Sequence, residues 1–328
     1  MKTSFFPFLI FFEEITRGLG QSLTPPAIWK NSSITINKAA RIDLASAALD
    51  EAVLYLDSNL TYWGNGENES GPFTSINLHA QLAMFDYWTN QAKYKDQVNR
   101  YFTVQGRTGM ANLPIPEDLT KIDFILRYGY AAFFAYCAYN NVSFLSLAEE
   151  TWNRAYAQTI SAENMDILQP MCASEQDRKL FIGGLTAKPR NYAFIPHING
   201  FYMTSDVNNT RLSGLLAEAT SNKTYLLATN QSATFFVAKM IKSQQMPQGF
   251  RISNNCAATF DDPSLEGVGE WIEGISMLGS LAEHEAQDIA GNLTLAIHAS
   301  TDGRVRQNVQ LMAQKAEIGL KPFSEGII

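Results

Sequence analysis

The stretch over residues 122–156, IDFILRYGYAAFFAYCAYNNVSFLSLAEETWNRAY, restricts the possible folds more than any other part of the chain. Ile125, Tyr128, Ala132, Phe133, Tyr136 and Cys137 recur at three- and four-residue spacing, which predicts a helix with a wide apolar face. Asn140-Asn141 suits a helix end followed by a turn. A second helix is expected from Ser143, read as its N-cap, with Phe144, Leu147, Ala148, Trp152 and Ala155 on one side. Two long helices joined so briefly fold back on each other. Residues 124–138 are close to apolar all round, so the first helix needs neighbours on every side. Asp123 is an acid at the mouth of that run.

The same pattern recurs along the chain. Helices are expected over 37–57, 78–88, 94–102, 212–219, 223–242, 265–284, 286–299 and 304–318. Residues 198–203 also carry a helical pattern, and the polar run 205–210 reads as an insertion that interrupts an element. Residues 161–195, with Pro170, Gly183-Gly184 and Pro189, predict one broken helix with long connections. Residues 58–72, 106–116 and 246–263 read as loops. A loose repeat appears at 88–94, 139–144 and 220–225, where a helix ends, a few polar residues follow, and an aromatic opens the next helix. No alternating β-branched run stands out. Helical hairpins in succession make either a solenoid or a closed ring, and a solenoid needs polar capping repeats. None is visible, so the expected fold is all-α: an (α/α)6 toroid, a ring of helical hairpins.

A chain of 328 residues, 46% hydrophobic and 17% charged, suits one large helical domain. Its net charge of −7, without a dense basic run, argues against nucleic acid as a partner. Lys2 followed by the apolar run 5–12 and by Gly18-Leu19-Gly20 predicts a signal peptide over residues 1–20, ahead of a single domain over 21–328. Glu13, Glu14 and Arg17 depart from that pattern. The secretory reading gains from the Asn-x-Ser/Thr triplets at Asn31, Asn59, Asn68, Asn141, Asn208, Asn222, Asn230 and Asn292. Chance would place roughly three in a chain of this composition. The sequence therefore predicts a glycoprotein that is secreted, extracellular or in the cell wall. The apolar run near the start is too short to span a bilayer, and no transmembrane segment is expected. Nothing points to an oligomer, so a monomer is expected.

Of the three cysteines, Cys137 lies on an apolar helix face and reads as a small core residue, which leaves Cys172 and Cys256 to form a disulfide. Nucleophile elbows, phosphate loops, zinc-type His pairs and Cys-x-x-Cys are absent from the sequence. His79, His197, His284 and His298 are scattered and read as surface or core residues, so no metal site is expected. Large rings are abundant. Trp88, Trp152 and Tyr130 read as core packing, whereas Tyr62 and Trp63 lie in a polar loop where sugar stacking is as plausible as packing.

The strings LRYGYAAFFAY and FLSLAEETWNRAY, then LSGLLAEATSNKTYL over 212–226 and GEWIEGISMLGSLAE over 269–283, resemble in order and spacing the glycoside hydrolase family 76 group. That group comprises endo-α-1,6-mannanases and fungal cell-wall relatives. The resemblance runs from about residue 42 onward and implies an (α/α)6 barrel, a retaining α-glycosidase and no cofactor. The family signature is an Asp-Asp pair a few residues before an aromatic-Gly step. Retaining cleavage uses two carboxylates, one as nucleophile and one as acid/base. Setting Tyr128-Gly129 on that step places the pair at Asp123 and Phe124. The nucleophile position is kept, and the acid/base position holds a side chain that moves no proton. Where fungal relatives carry Tyr-Asn, this chain has Glu266-Gly267, which makes Glu266 a speculative displaced acid. Asp261-Asp262 precedes Pro263 and reads as a helix start. Asp123 has a plainer reading too, as an acid held by the positive end of a helix dipole.

The resemblance thus implies action on α-1,6-mannan, in the cell wall or on glycosylphosphatidylinositol-linked glycan, with Asp123 as nucleophile. Tyr62, Trp63, Tyr128 and Trp271 would bind substrate. The alternative is a catalytically inactive toroid that keeps the cleft and binds wall glycan. A purely structural helical scaffold is a third, weaker reading.

Overall fold

The computed structural model describes residues 36–60, 72–108, 119–185, 200–239, 249–252 and 254–260. Along these residues the α-helices are α1 Lys38–Leu54, α2 Pro72–Thr89, α3 Lys95–Thr108, α4 Leu119–Tyr139, α5 Val142–Tyr156, α6 Glu175–Lys179, α7 Met203–Thr220 and α8 Lys223–Lys239. Three short strands, β1 Gly200–Tyr202, β2 Gly249–Ile252 and β3 Ala258–Phe260, form an antiparallel sheet in that order. Phe250 pairs with Phe201 on one side and Phe260 on the other.

The helices form hairpins, and the hairpins repeat. After α2, α4 and α7 the chain turns through one residue in the left-handed region: Asn90 (φ 55°), Asn140 (φ 51°) and Ser221 (φ 56°). Asn tolerates that conformation better than most side chains, which is why Asn-rich turns serve here. A buried aromatic then fixes the start of the next helix, Tyr94 for α3, Phe144 for α5 and Tyr225 for α8. Helix α4 packs against α2, α5 and α7. Along α4 and α7 the partners advance together: Asp123 meets Asn208 near the start of each helix, and Tyr130 meets Arg211 further on. The two inner helices therefore run parallel, as a ring of hairpins requires.

Burial follows. Residues 122–135 of α4 are all buried except Phe124, which is half-buried. Tyr128 packs 5.1 Å from Phe102 and 6.0 Å from Tyr101, and Phe102 lies 5.1 Å from Phe144. Trp152 of α5 stacks on Tyr156 at 4.5 Å, meets Tyr225 edge-on at 4.6 Å, and donates its indole N–H to Ser213 Oγ at 2.6 Å. Gly129 sits where α4, α5 and α7 converge: a Cβ there would run into Thr151 and come within 2.8 Å of Leu212. The glycine of the aromatic-Gly step is required by close helix approach.

The local expectations need several corrections. The N-cap of α5 is Asn141, not Ser143, because its side-chain oxygen accepts the Ser143 N–H at 3.1 Å. Residues 200–202 are a strand, and part of the 246–263 loop is the strand pair β2–β3. Pairing of β1 with the distant β2 overrides local pattern. Residues 205–210 are continuous helix within α7. Two of the polar side chains there have partners: Asn209 Nδ2 donates to Ser232 Oγ at 2.9 Å, and Asn208 reaches α4. In place of one broken helix, residues 161–185 hold a 3₁₀ turn, Met165–Leu168, and the short α6.

Cys172 and Cys256 are joined in a disulfide across 84 residues of sequence, with their Cα atoms 4.6 Å apart. Beside it, the Cys256 N–H donates to Met171 O at 2.8 Å, and Arg178 donates to Cys172 O at 2.9 Å. The crosslink ties residues 161–185 to the sheet. Among the described residues, no helix is long and apolar enough to cross a membrane.

Candidate active site

Asp123 is the fifth residue of α4, past the first turn, so a capping or dipole role at the helix start does not account for it. It is buried, and each carboxylate oxygen has its own donor. Arg127, one turn along the same helix, places Nε 3.0 Å from Oδ2. Asn208, from α7, donates Nδ2 to Oδ1 at 2.7 Å. Arg127 is also buried, so the pair is shielded from water and the interaction is stronger than at a surface.

The same face of α4 carries Tyr130 three residues beyond Arg127. The Arg211 guanidinium lies over its ring, 3.4 Å from the centroid, and hydrogen-bonds its hydroxyl. Asp123, Arg127 and Tyr130 follow i, i+4, i+7 on α4, and Asn208 and Arg211 follow i, i+3 on α7. Together they make a polar seam between two inner helices, in an interior that is otherwise largely apolar. Its chemistry is that of one buried carboxylate held in place by cationic and amide donors.

No proton donor stands at the neighbouring position, because Phe124 occupies it. The other buried carboxylate among the described residues, Asp86, has a different task. It accepts the backbone N–H of Lys93 at 3.0 Å and of Tyr94 at 2.8 Å, and the Tyr139 hydroxyl at 2.9 Å. It locks the α2–α3 turn to the far end of α4, and Tyr139 lies sixteen residues, roughly 24 Å of helix, beyond Asp123.

Other sequence expectations sort as follows. Tyr128, expected to line the cleft, is buried in the aromatic core, and burial raises its hydroxyl above the ordinary tyrosine range. That hydroxyl has no hydrogen-bond partner among the described residues. Asn208, expected to carry a glycan, is buried against Asp123 and has no room for one. Asn59, Asn141 and Asn222 are exposed and Asn230 is half-buried. Tyr62, Trp63, Glu266, Trp271, Asn31, Asn68 and Asn292 lie outside the described residues. Cys137 packs partly buried against the core, and burial followed by the Glu218 carboxylate pushes its thiol up to about 12. His79 is a core residue stacked on Tyr101 at 3.8 Å.

Arg127 and Arg211, and the role of Asn208 as a partner of Asp123, escaped the sequence reading. Two signals pointed to them: an acid followed four residues later by a base inside an apolar helix, and an Asn-Asn-Thr-Arg run between helical segments.

Comparison with known proteins finds no matching family model and no matching curated protein. Solved structures do match. The family 76 α-1,6-mannanase of Salegentibacter sp. HEL1_6 superposes with a TM-score of 0.59 at 14% identity, over 79% of this chain and 69% of its own. An inactive variant of that enzyme, with two adjacent aspartates changed to asparagine and α-1,6-mannotriose bound, gives 0.58 at 13%, over the same shares. A family 76 glycoside hydrolase from a bovine Bacteroides thetaiotaomicron strain gives 0.56 at 12%, over 79% of this chain and 56% of its own. The likeness is one of fold: this chain is an α/α toroid of the glycoside hydrolase family 76 type.

Proposed function

We propose that the chain is a secreted protein that binds α-1,6-linked mannan, or a related cell-wall or glycosylphosphatidylinositol-linked glycan, in the central cleft of the toroid, with hydrolysis disabled at Phe124. The observation that carries this reading is the environment of Asp123. Both its oxygens are engaged, by Arg127 and Asn208, and the adjacent residue is Phe124. A retaining glycosidase needs two carboxylates about 5–5.5 Å apart, one of them able to give a proton to the leaving oxygen. Loss of that general acid costs a factor of roughly 100 to 10,000. Glycan binding has no such requirement: variants of the Salegentibacter mannanase inactivated at two aspartates were solved with α-1,6-mannotetraose and α-1,6-mannotriose bound. Secretion is supported by residues 1–20 and by the excess of glycosylation triplets.

A second reading is residual hydrolysis or glycosyl transfer, with Asp123 as nucleophile and Glu266 as acid. The Arg127 ion pair favours it, since it fixes the orientation of the Asp123 carboxylate, as a nucleophile requires.

Purified protein and an Asp123→Asn variant of confirmed helicity, incubated with a defined α-1,6-mannooligosaccharide, separate the readings. Retained oligosaccharide with unchanged chain lengths is the expected result. New chain lengths that vanish in the variant favour the second reading, and neither binding nor turnover sinks the substrate class.

A further inference from the structure

The four glycosylation triplets that lie wholly within the described residues fall into two structural groups. Asn141 and Asn222 occupy the same place in successive hairpins, each following a left-handed residue, Asn140 or Ser221. Each takes, on its side-chain oxygen, the N–H of the residue two positions on: Ser143 at 3.1 Å and Thr224 at 2.9 Å. In both triplets the Asn and the hydroxyl residue are exposed. The other two triplets that lie wholly within the described residues are closed. At Asn208, both the Asn and Thr210 are buried. At Asn230, the Asn is half-buried and Ser232 is fully buried, donating its hydroxyl to Gly183 O at 2.9 Å.

We infer that Asn141 and Asn222 carry N-linked glycans on one end of the toroid and that Asn208 stays unmodified. The inference rests on the secretion part of the proposed function. Asn141 follows the end of α4 at Tyr139, sixteen helical residues beyond Asp123, so glycans there stand roughly 24 Å along the helix axis from the acid. Helix α7 runs parallel to α4, which puts Asn222 at the same end. Both leave the Asp123 end of the ring uncovered. The donor is a lipid-linked glycosyl diphosphate. Nδ2 bonds to the anomeric carbon, that carbon's bond to the diphosphate oxygen breaks, the lipid diphosphate leaves, and the amide proton passes to a base of the transferase. At Asn208 the product would occupy the space of the Asp123 contact, so a modified chain could not reach this packing.

The test expresses the full chain behind a heterologous secretory leader in a glycosylating eukaryotic host. Retained and secreted pools are both treated with peptide N-glycosidase in heavy-oxygen water and mapped by mass. Label at Asn141 and Asn222, with none at Asn208 in protease-resistant material, is the expected result. Ser143→Ala and Thr224→Ala should each erase one label, and Ser143→Thr and Thr224→Ser should keep it. Absence of label at Asn141 or Asn222 from both pools, or label at Asn208 in folded protein, overturns the inference. A parallel expression with the chain's own residues 1–20 keeps the two questions apart. Cytosolic, unlabelled product there would sink the secretion reading, while leader-driven labelling would still report on the sites.

Discussion

Asn208 on α7 donates its side-chain amide to Asp123 on α4 at 2.7 Å, joining residues 85 positions apart in the sequence. The bond aligns two inner helices of the ring and supplies one of the two donors that hold the carboxylate. A hydrogen bond to a charged group contributes about 1.5–3 kcal/mol. Asn208→Ala should therefore lower the unfolding free energy by about 2 kcal/mol, read from a urea titration at neutral pH. An unchanged midpoint would show that the contact holds nothing.

Arg127 is the larger partner. Its removal leaves Asp123 charged and buried, and breaking a buried pair from one side costs about 3–5 kcal/mol. Arg127→Met should fall in that range, or the variant should accumulate in inclusion bodies. The double change Asp123→Leu with Arg127→Met should recover most of the loss, because no orphan charge is left. A double variant as unstable as the single would place the cost in packing rather than charge.

His79 sets a pH dependence. Burial pushes its imidazole down to about 4, against a partial opposing effect from the hydrogen bond to Ser75 O at 2.8 Å. Between pH 6.5 and 4 the unfolded chain binds a proton at this site that the folded chain refuses. Stability from neutral His79 is thus complete above pH 6.5 and declines as pH falls toward 4, by up to about 3 kcal/mol. Urea midpoints measured across that window should fall with pH in the parent, and His79→Phe should flatten that part of the curve. A parent curve with no slope there would contradict the buried, neutral assignment.

The hairpin over 122–156 was legible because its apolar spacing is a local property of the chain, and burial along α4 follows from it directly. Asp123 was legible as a position, since an acid at the mouth of an apolar run is conspicuous. Its partners were not. Asn208 sits in a polar run that reads locally as an insertion interrupting an element, and the facing carboxylate on α4 gives its side chain a partner within the helix. Tyr128 misled for a different reason: the family resemblance implied that it binds substrate, yet its place on the helix turns it into the aromatic core. The strands β1–β3 escaped because each is three or four residues long, and β1 is stabilised by pairing with β2, far away in sequence.

The disulfide closes a long loop, and its removal should be felt mainly through the unfolded chain. For a separation of 84 residues the chain-entropy estimate is about 4–5 kcal/mol, an upper value because denatured chains keep some structure. Cys172→Ser with Cys256→Ser should lose a large part of that, measured as a drop in urea midpoint. Thiol titration of the denatured, unreduced parent should find Cys137 alone, and all three cysteines after reduction. Three thiols before reduction would mean that the bond does not form in the isolated protein.

Gly129 tests the ring's geometry most directly. It lies one residue after Tyr128, at the point where Thr151 of α5 and Leu212 of α7 close on α4. Thr151 is buried and its hydroxyl is fixed to Ala148 O at 2.9 Å, so it has little freedom to retreat. Gly129→Ala in an isolated helix would be favourable by up to about 1 kcal/mol, because alanine is the better helix former. Here overpacking opposes it, at about 1–3 kcal/mol, and the net effect should be destabilising. Adding Thr151→Ala removes the nearest obstacle and should restore part of the loss, leaving the contact with Leu212 at 2.8 Å. A Gly129→Ala variant more stable than the parent would mean that the three helices stand further apart than this packing requires.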